Sequence, residues 1–202
     1  MSGSSLFVHR ERQELADALD RLGPAAPTLC EGWDTAHLAA HLVVRERRPD
    51  ALAGLGAEVA GLGGPLAAWP HRLENHLRAT TPYGEVVNRL RAGAPIWSPM
   101  GWPRLSEALN TTEFAIHHED VRRAQPDWSP RALSRADQDT LWSAAGFFAR
   151  RAAGSRGLVL RRSDVPGVEK RLGAGGRTVE GEPMELLLWA AGRQTVARVV
   201  IS

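Results

Sequence analysis

The feature that most limits how this chain can fold is a run of ionisable residues at helical spacing, Asn-Thr-Thr-Glu-Phe-Ala-Ile-His-His-Glu-Asp-Val-Arg-Arg over 110–123. As a helix it sets Glu113, His117 and Asp120 at i, i+4 and i+7 on one face. Ile116 and Leu109 flank that stripe, and Phe114 and Val121 widen the apolar arc beside it. A carboxylate and an imidazole on the inner side of a helix need partners, because an unpaired polar group there costs about 1–3 kcal/mol. The helix must therefore face others that answer it. A divalent cation is one such answer, since Glu and His one turn apart can bind it from a single helix.

A second polar motif lies upstream. Trp33-Asp34-Thr35 opens a helix, with Asp34 or Thr35 as N-cap, that carries His37 and His41 at i, i+4 and runs to about Arg48. Leu38, Leu42 and Val43 are its expected core contacts, and Arg45, Glu46, Arg47 and Arg48 its expected solvated end. Before it, 6–22 reads as an amphipathic helix with Val8, Leu15, Leu19 and Leu22 inward, closed by Gly23-Pro24. The stretch 54–70 reads as a Gly- and Ala-rich crossover holding a short helix. Residues 73–92 read as one helix interrupted near Pro82, or two shorter ones. The Pro- and Trp-rich 94–103 is an irregular loop, in which Trp97 and Trp102 either roof a pocket or fill space. Ser106 is the expected cap of the motif helix, and another helix follows over 134–151 with Leu141, Trp142, Ala145 and Phe148 inward.

This pattern predicts a mainly α protein: a four-helix bundle over 1–155 and a small α+β appendage over 156–202. In the appendage, 158–160 and 196–201 read as strands, 173–176 as a turn, and 182–191 as a short helix starting at Pro183. Facing helices of a bundle lie about 8–10 Å apart, close enough for both motifs to reach one ion. Two imidazoles and a carboxylate suit zinc, nickel or iron(II), and three protein ligands leave positions open for water or substrate.

Composition bounds the rest. A net charge of +2, with the arginines scattered and Lys170 the only lysine, lacks the clustered basic face of a nucleic-acid binder. No apolar run is long enough for a membrane helix, Met1–Leu6 lacks a signal-peptide plan, and a single cysteine excludes an intrachain disulfide framework. The expectation is a soluble cytoplasmic protein, monomer or homodimer, with neither nucleic acid nor membrane as partner. No Ser-His-Asp triad, phosphate loop or nucleotide fingerprint is evident.

The segment Trp33-Asp-Thr-Ala-His37-Leu-Ala-Ala-His41-Leu42 resembles the first metal motif of DinB-like bundles of the mycothiol-dependent maleylpyruvate isomerase group. Glu113-Phe-Ala-Ile-His117-His-Glu-Asp120-Val121 is similar to the second, Glu-x3-His-x2-Asp-apolar. The resemblance covers most of 5–155, and Thr28–Asp50 together with Asn110–Arg123 resemble a subgroup of actinobacterial DinB-type proteins of unassigned activity. It implies a zinc-type metal held by His41, Glu113 and His117, with mycothiol as co-substrate. His37 stands where such proteins carry an acidic or other polar residue, and the motif aligns on His41, so His37 is read as a non-ligand. The C-terminal part resembles a shortened isomerase C-terminal domain only over 179–183 and 186–193, which makes Arg193 a candidate for holding a substrate carboxylate.

Asp120 suits the role of acceptor for a ligand histidine better than that of ligand. Cys30 reads as an inert buried thiol that is nonetheless near enough in sequence to approach the site. His118 points about 100° away from His117 and should miss the ion. His9, His71 and His76 are expected on the surface. Three functions remain open: a metal-dependent transferase or isomerase using a low-molecular-weight thiol on a small electrophile, a non-catalytic metal- or ligand-binding bundle, and a metal-dependent hydrolase.

Overall fold

The computed structural model describes residues 3–51, 64–65 and 68–202. Residue contacts divide the chain into two units, Val8–Trp128 and Met1–Phe7 with Ser129–Ser202.

The first unit is a four-helix bundle made of α1 (Gly3–Leu22, from Val8 on), α2 (Thr35–Arg47), the broken pair α3 (Ala68–Thr80) and α4 (Tyr83–Ala92), and α5 (Pro103–Arg123). Its core is formed by Leu15 and Leu19 of α1, Leu38 and Leu42 of α2, Val86 and Leu90 of α4, and Phe114 and Val121 of α5. α1 stops where Gly23 takes φ 77°, a left-handed turn that only glycine enters cheaply. Asp34 caps α2 by accepting the His37 backbone N–H. Pro82 separates α3 from α4, since it can neither donate to the preceding turn nor follow a helical residue without a clash. α5 begins at Pro103, one turn before the expected Ser106, because proline in the first turn gives up no helical bond. The crossover expected over 54–70 lies mostly outside the described residues, and its last three positions already belong to α3.

One expectation about α2 fails. Arg45 and Glu46 are buried rather than solvated. Glu46 pairs with Arg12 of α1, and its backbone carbonyl accepts from the Ser98 hydroxyl at 2.5 Å. Their helical phase decides this: Arg45 continues the His37–His41 face one turn further.

In the second unit α6 (Arg135–Ala153) packs on α7 (Pro183–Ala190) and on a sheet of order β2-β1-β3-β4. The contacts thus group α6 with the C-terminal elements, whereas the expected boundary lies at 155/156. A capping box between Ser134 and Asp137 starts α6. β1 (Leu158–Arg162) is the buried central strand, antiparallel to β2 (Glu169–Leu172) and parallel to β3 (Arg177–Gly181). Here β2 and β3 were not foreseen, because Glu-Lys-Arg-Leu and Arg-Thr-Val-Glu-Gly carry charges suited to an edge and to a half-exposed strand. The strand expected over 196–201 shrinks to β4 (Val200–Ile201), because Val196 and Ala197 turn back to bond the Arg193 carbonyl.

Candidate metal centre

The site belongs to the Val8–Trp128 unit and is assembled by α2, α3 and α5. His41 sits mid-way along α2, and Glu113 and His117 one turn apart on α5. His41 Nε2 lies 3.3 Å from Glu113 Oε1, and His117 Nε2 lies 3.4 Å from the same oxygen. The two imidazoles face each other with centroids 5.7 Å apart at 71°. Tetrahedral ligands at about 2.0–2.2 Å from one ion are themselves about 3.3–3.5 Å apart, so this spacing is that of a coordination shell. The three side chains are 12%, 22% and 12% exposed, so each keeps some contact with solvent.

Each histidine is held from behind. His41 Nδ1 donates to Glu74 of α3 at 2.9 Å, and His117 Nδ1 donates to Asp120 at 2.9 Å. A carboxylate on Nδ1 fixes the tautomer and presents the Nε2 lone pair, the arrangement that supports a metal ligand. Burial works against charge on both rings, but the facing carboxylates outweigh it. Glu113 and Glu74 raise the His41 pKa; Asp120, then Cys30 and Glu113, raise that of His117 well above its ordinary value. The burial that should raise Glu113 is overcome by Arg45 first and then by both histidines, so its carboxyl stays well below its ordinary value. Arg45 Nε stands 3.3 Å from Glu113 Oε1, and its Nη1 donates to Asn110 at 2.5 Å. The cluster is thus an ion-paired network in which the Arg45 guanidinium and the two imidazoles surround the Glu113 carboxylate. The donor set of two imidazoles and one carboxylate fits zinc or a similar divalent ion.

His37, one turn before His41, is instead bonded to Asp34 at 2.7 Å through Nδ1. Asp120 accepts from His117 and also from the Cys30 thiol, at 3.2 Å. Cys30 thus takes part in the surroundings of His117, where an inert thiol was expected. His118 turns away from the cluster to Glu11, at 3.0 Å. Arg193 belongs to the other unit, where it donates to the Ala191 carbonyl at 2.7 Å. Trp97 and Trp102 are 61% and 56% exposed, so neither is packed as filler. His71, expected on the surface, is 44% exposed there and bonds the second oxygen of Glu74 at 3.1 Å.

Sequence reasoning missed Glu74 and Arg45. Glu74 is four residues after the buried Pro70 and three before Leu77, on the inward stripe of α3, which is a readable signal. Arg45 follows His37 and His41 at i+8 and i+4, and its place in a run of charges hid that phase.

No family model matches the chain, and no curated protein does. Among solved structures, two are similar: the mycothiol-dependent maleylpyruvate isomerase, at TM-score 0.57, and a histidine-to-alanine mutant of it, at 0.61. Each shares 17% identity, and the match covers 100% of this chain and 93% of the isomerase. At that identity the likeness speaks to fold alone: this chain, a helical bundle with a C-terminal α+β region, shares over its whole length the fold of the mycothiol-dependent maleylpyruvate isomerase.

Proposed function

We propose that the protein is a divalent-metal enzyme that transfers or isomerises with the help of a small, mycothiol-type thiol acting on a small electrophile. The observation that carries this reading is the shared oxygen of Glu113, set at coordination spacing from the Nε2 atoms of His41 and His117. His41, Glu113 and His117 would hold the cation, zinc by the donor set. When bound, the cation supplies Lewis acidity that keeps a thiol in its reactive thiolate form near neutral pH.

The chain's own groups do the remainder. Glu74 and Asp120 orient the two imidazoles and favour the Nε2 donors. Arg45 keeps the Glu113 carboxylate charged, so the site is ready without a prior proton loss from that group. Cation loading displaces protons from the two histidines, which makes affinity rise with pH. Thiol dependence comes to this chain from the likeness to an isomerase whose name includes mycothiol.

The test is turnover of an activated alkene by the zinc-loaded protein with mycothiol, with glutathione and with no thiol. Activity that requires thiol, disappears with a chelator and returns with zinc supports the proposal. Thiol-independent cleavage of an ester or amide would assign the site to hydrolysis. A zinc-loaded, folded protein inert in both assays would make it a binding module.

A further inference from the structure

His117 has a second face. Its Nδ1 lies 2.9 Å from Asp120 Oδ2 and 3.7 Å from Cys30 Sγ, while Sγ lies 3.2 Å from the same Asp120 oxygen. Three donor types, thiol, carboxylate and imidazole, converge there on the side opposite His41 and Glu113. Two hydrogens, one from Sγ and one from Nδ1, point at a single oxygen. With metal–sulfur at about 2.3 Å and metal–nitrogen or –oxygen at about 2.0–2.2 Å, a tetrahedral ion sets sulfur about 3.5–3.7 Å from each other ligand atom and nitrogen about 3.3–3.6 Å from oxygen. The Sγ–Nδ1 separation already has the spacing of such a pair, and the two separations to Asp120 Oδ2 must each open by about 0.3–0.4 Å, which a rotation of the Asp120 side chain supplies.

The loop holds the thiol in place before any ion arrives. Leu29 N–H donates to the Asp120 backbone carbonyl at 3.0 Å, tying the loop to α5 beside the carboxylate. The Thr28 hydroxyl accepts from Cys30 N–H at 3.2 Å and donates to the Trp33 carbonyl at 2.8 Å, and Trp33 N–H donates to the Cys30 carbonyl at 3.0 Å. Cys30 is half-buried, at the margin of the bundle core.

We propose that Cys30, Asp120 and His117 Nδ1 form a second cation site, selective for thiophilic divalent ions such as zinc, cadmium or cobalt(II), with His117 able to bridge it to the first. A thiolate beside an imidazole selects soft and borderline ions over magnesium or calcium. Loading releases two protons, one from the Cys30 thiol and one from His117 Nδ1. The Asp120 carboxylate exchanges the hydrogen bonds it accepts from Cys30 and His117 for a metal bond.

Because Cys30 is the only cysteine, any metal–thiolate signal in the purified protein reports on it alone. The experiment is cobalt(II) titration of the full chain, reduced with a phosphine, following the near-ultraviolet thiolate-to-cobalt charge-transfer band. Wild type should bind two equivalents, one of them carrying the band. Cys30→Ser should bind one equivalent without the band, with its helical circular dichroism intact. Glu113→Gln should retain the band while the other equivalent weakens. No band in wild type at excess cobalt would overturn the proposal. So would a band that is lost in Glu113→Gln, because the thiol would then be serving one shared ion.

Discussion

Glu74 offers the sharpest perturbation of the candidate centre, since it touches the proposed ion only through His41. Its Oε1 accepts from His41 Nδ1 at 2.9 Å, and its side chain is 8% exposed, so water cannot take its place. Replacing such a supporting carboxylate costs about 10–100-fold in metal affinity, or about 1.4–2.7 kcal/mol. Glu74→Gln keeps the volume and an accepting oxygen but removes the charge, and should fall near the tenfold end; Glu74→Ala removes both and should approach a hundredfold. Proton competition then modifies the figure. Burial lowers the His41 pKa, and Glu113 and Glu74 more than restore it, so the variant's His41 gives up its proton more readily. The loss should be larger at pH 8.5 than at pH 6.5, because protons hold the wild type back more at the lower pH. Zinc affinities from competition with a chromophoric chelator at both pH values read this directly. His71→Ala is the control, because His71 bonds the other oxygen of Glu74. Unchanged affinity at pH 8.5, or a larger loss at the lower pH, would refute the reasoning.

The other expectations concern the bundle around the site. His41→Ala should lose most bound zinc yet keep its helical circular dichroism, because the core rests on Leu, Val and Phe packing; loss of both together would make the ion structural. Phe114 is fully buried with the Arg12 guanidinium 4.7 Å from its ring centroid, so Phe114→Ala should cost about 3–5 kcal/mol in denaturant unfolding, and a cost below about 1 kcal/mol would contradict that packing. Tyr83, the chain's only tyrosine, donates to the Leu19 carbonyl at 2.9 Å, and burial pushes its pKa up to about 12. An ultraviolet titration should show ionisation near that value in the folded protein. A folded pKa raised in this way leaves stability intact below the unfolded value of about 10 and removes it as pH climbs towards the folded one. Ionisation near pH 10 without unfolding would contradict it.

Glu113 and His117 are legible as a pair because i, i+4 spacing on an apolar stripe is a local property, and His41 becomes legible once its helix is placed opposite. Glu74 and Arg45 are not, because their roles depend on which turn of one helix meets which turn of another. Arg45 and Glu46 show the difficulty best: a run of four charged residues reads as solvated, yet helical phase turns two of them inward. The sheet divides in the same way. β1 is written in Leu-Val-Leu and β4 lies within the apolar end of the chain, whereas the charged β2 and β3 are strands because β1 pairs with both. Grouping α6 with the sheet is likewise a matter of packing partners, invisible in its own amphipathic pattern.

The central claim is that His41, Glu113 and His117 hold an ion that accepts a small thiol. X-ray absorption at the zinc edge of Cys30→Ser protein tests it most directly, since that chain has no cysteine of its own to supply sulfur. With one equivalent of zinc the account predicts a nitrogen and oxygen shell at about 2.0–2.2 Å, joined by one sulfur at about 2.3 Å when mycothiol or glutathione is added. An unchanged, sulfur-free shell at saturating thiol would contradict it.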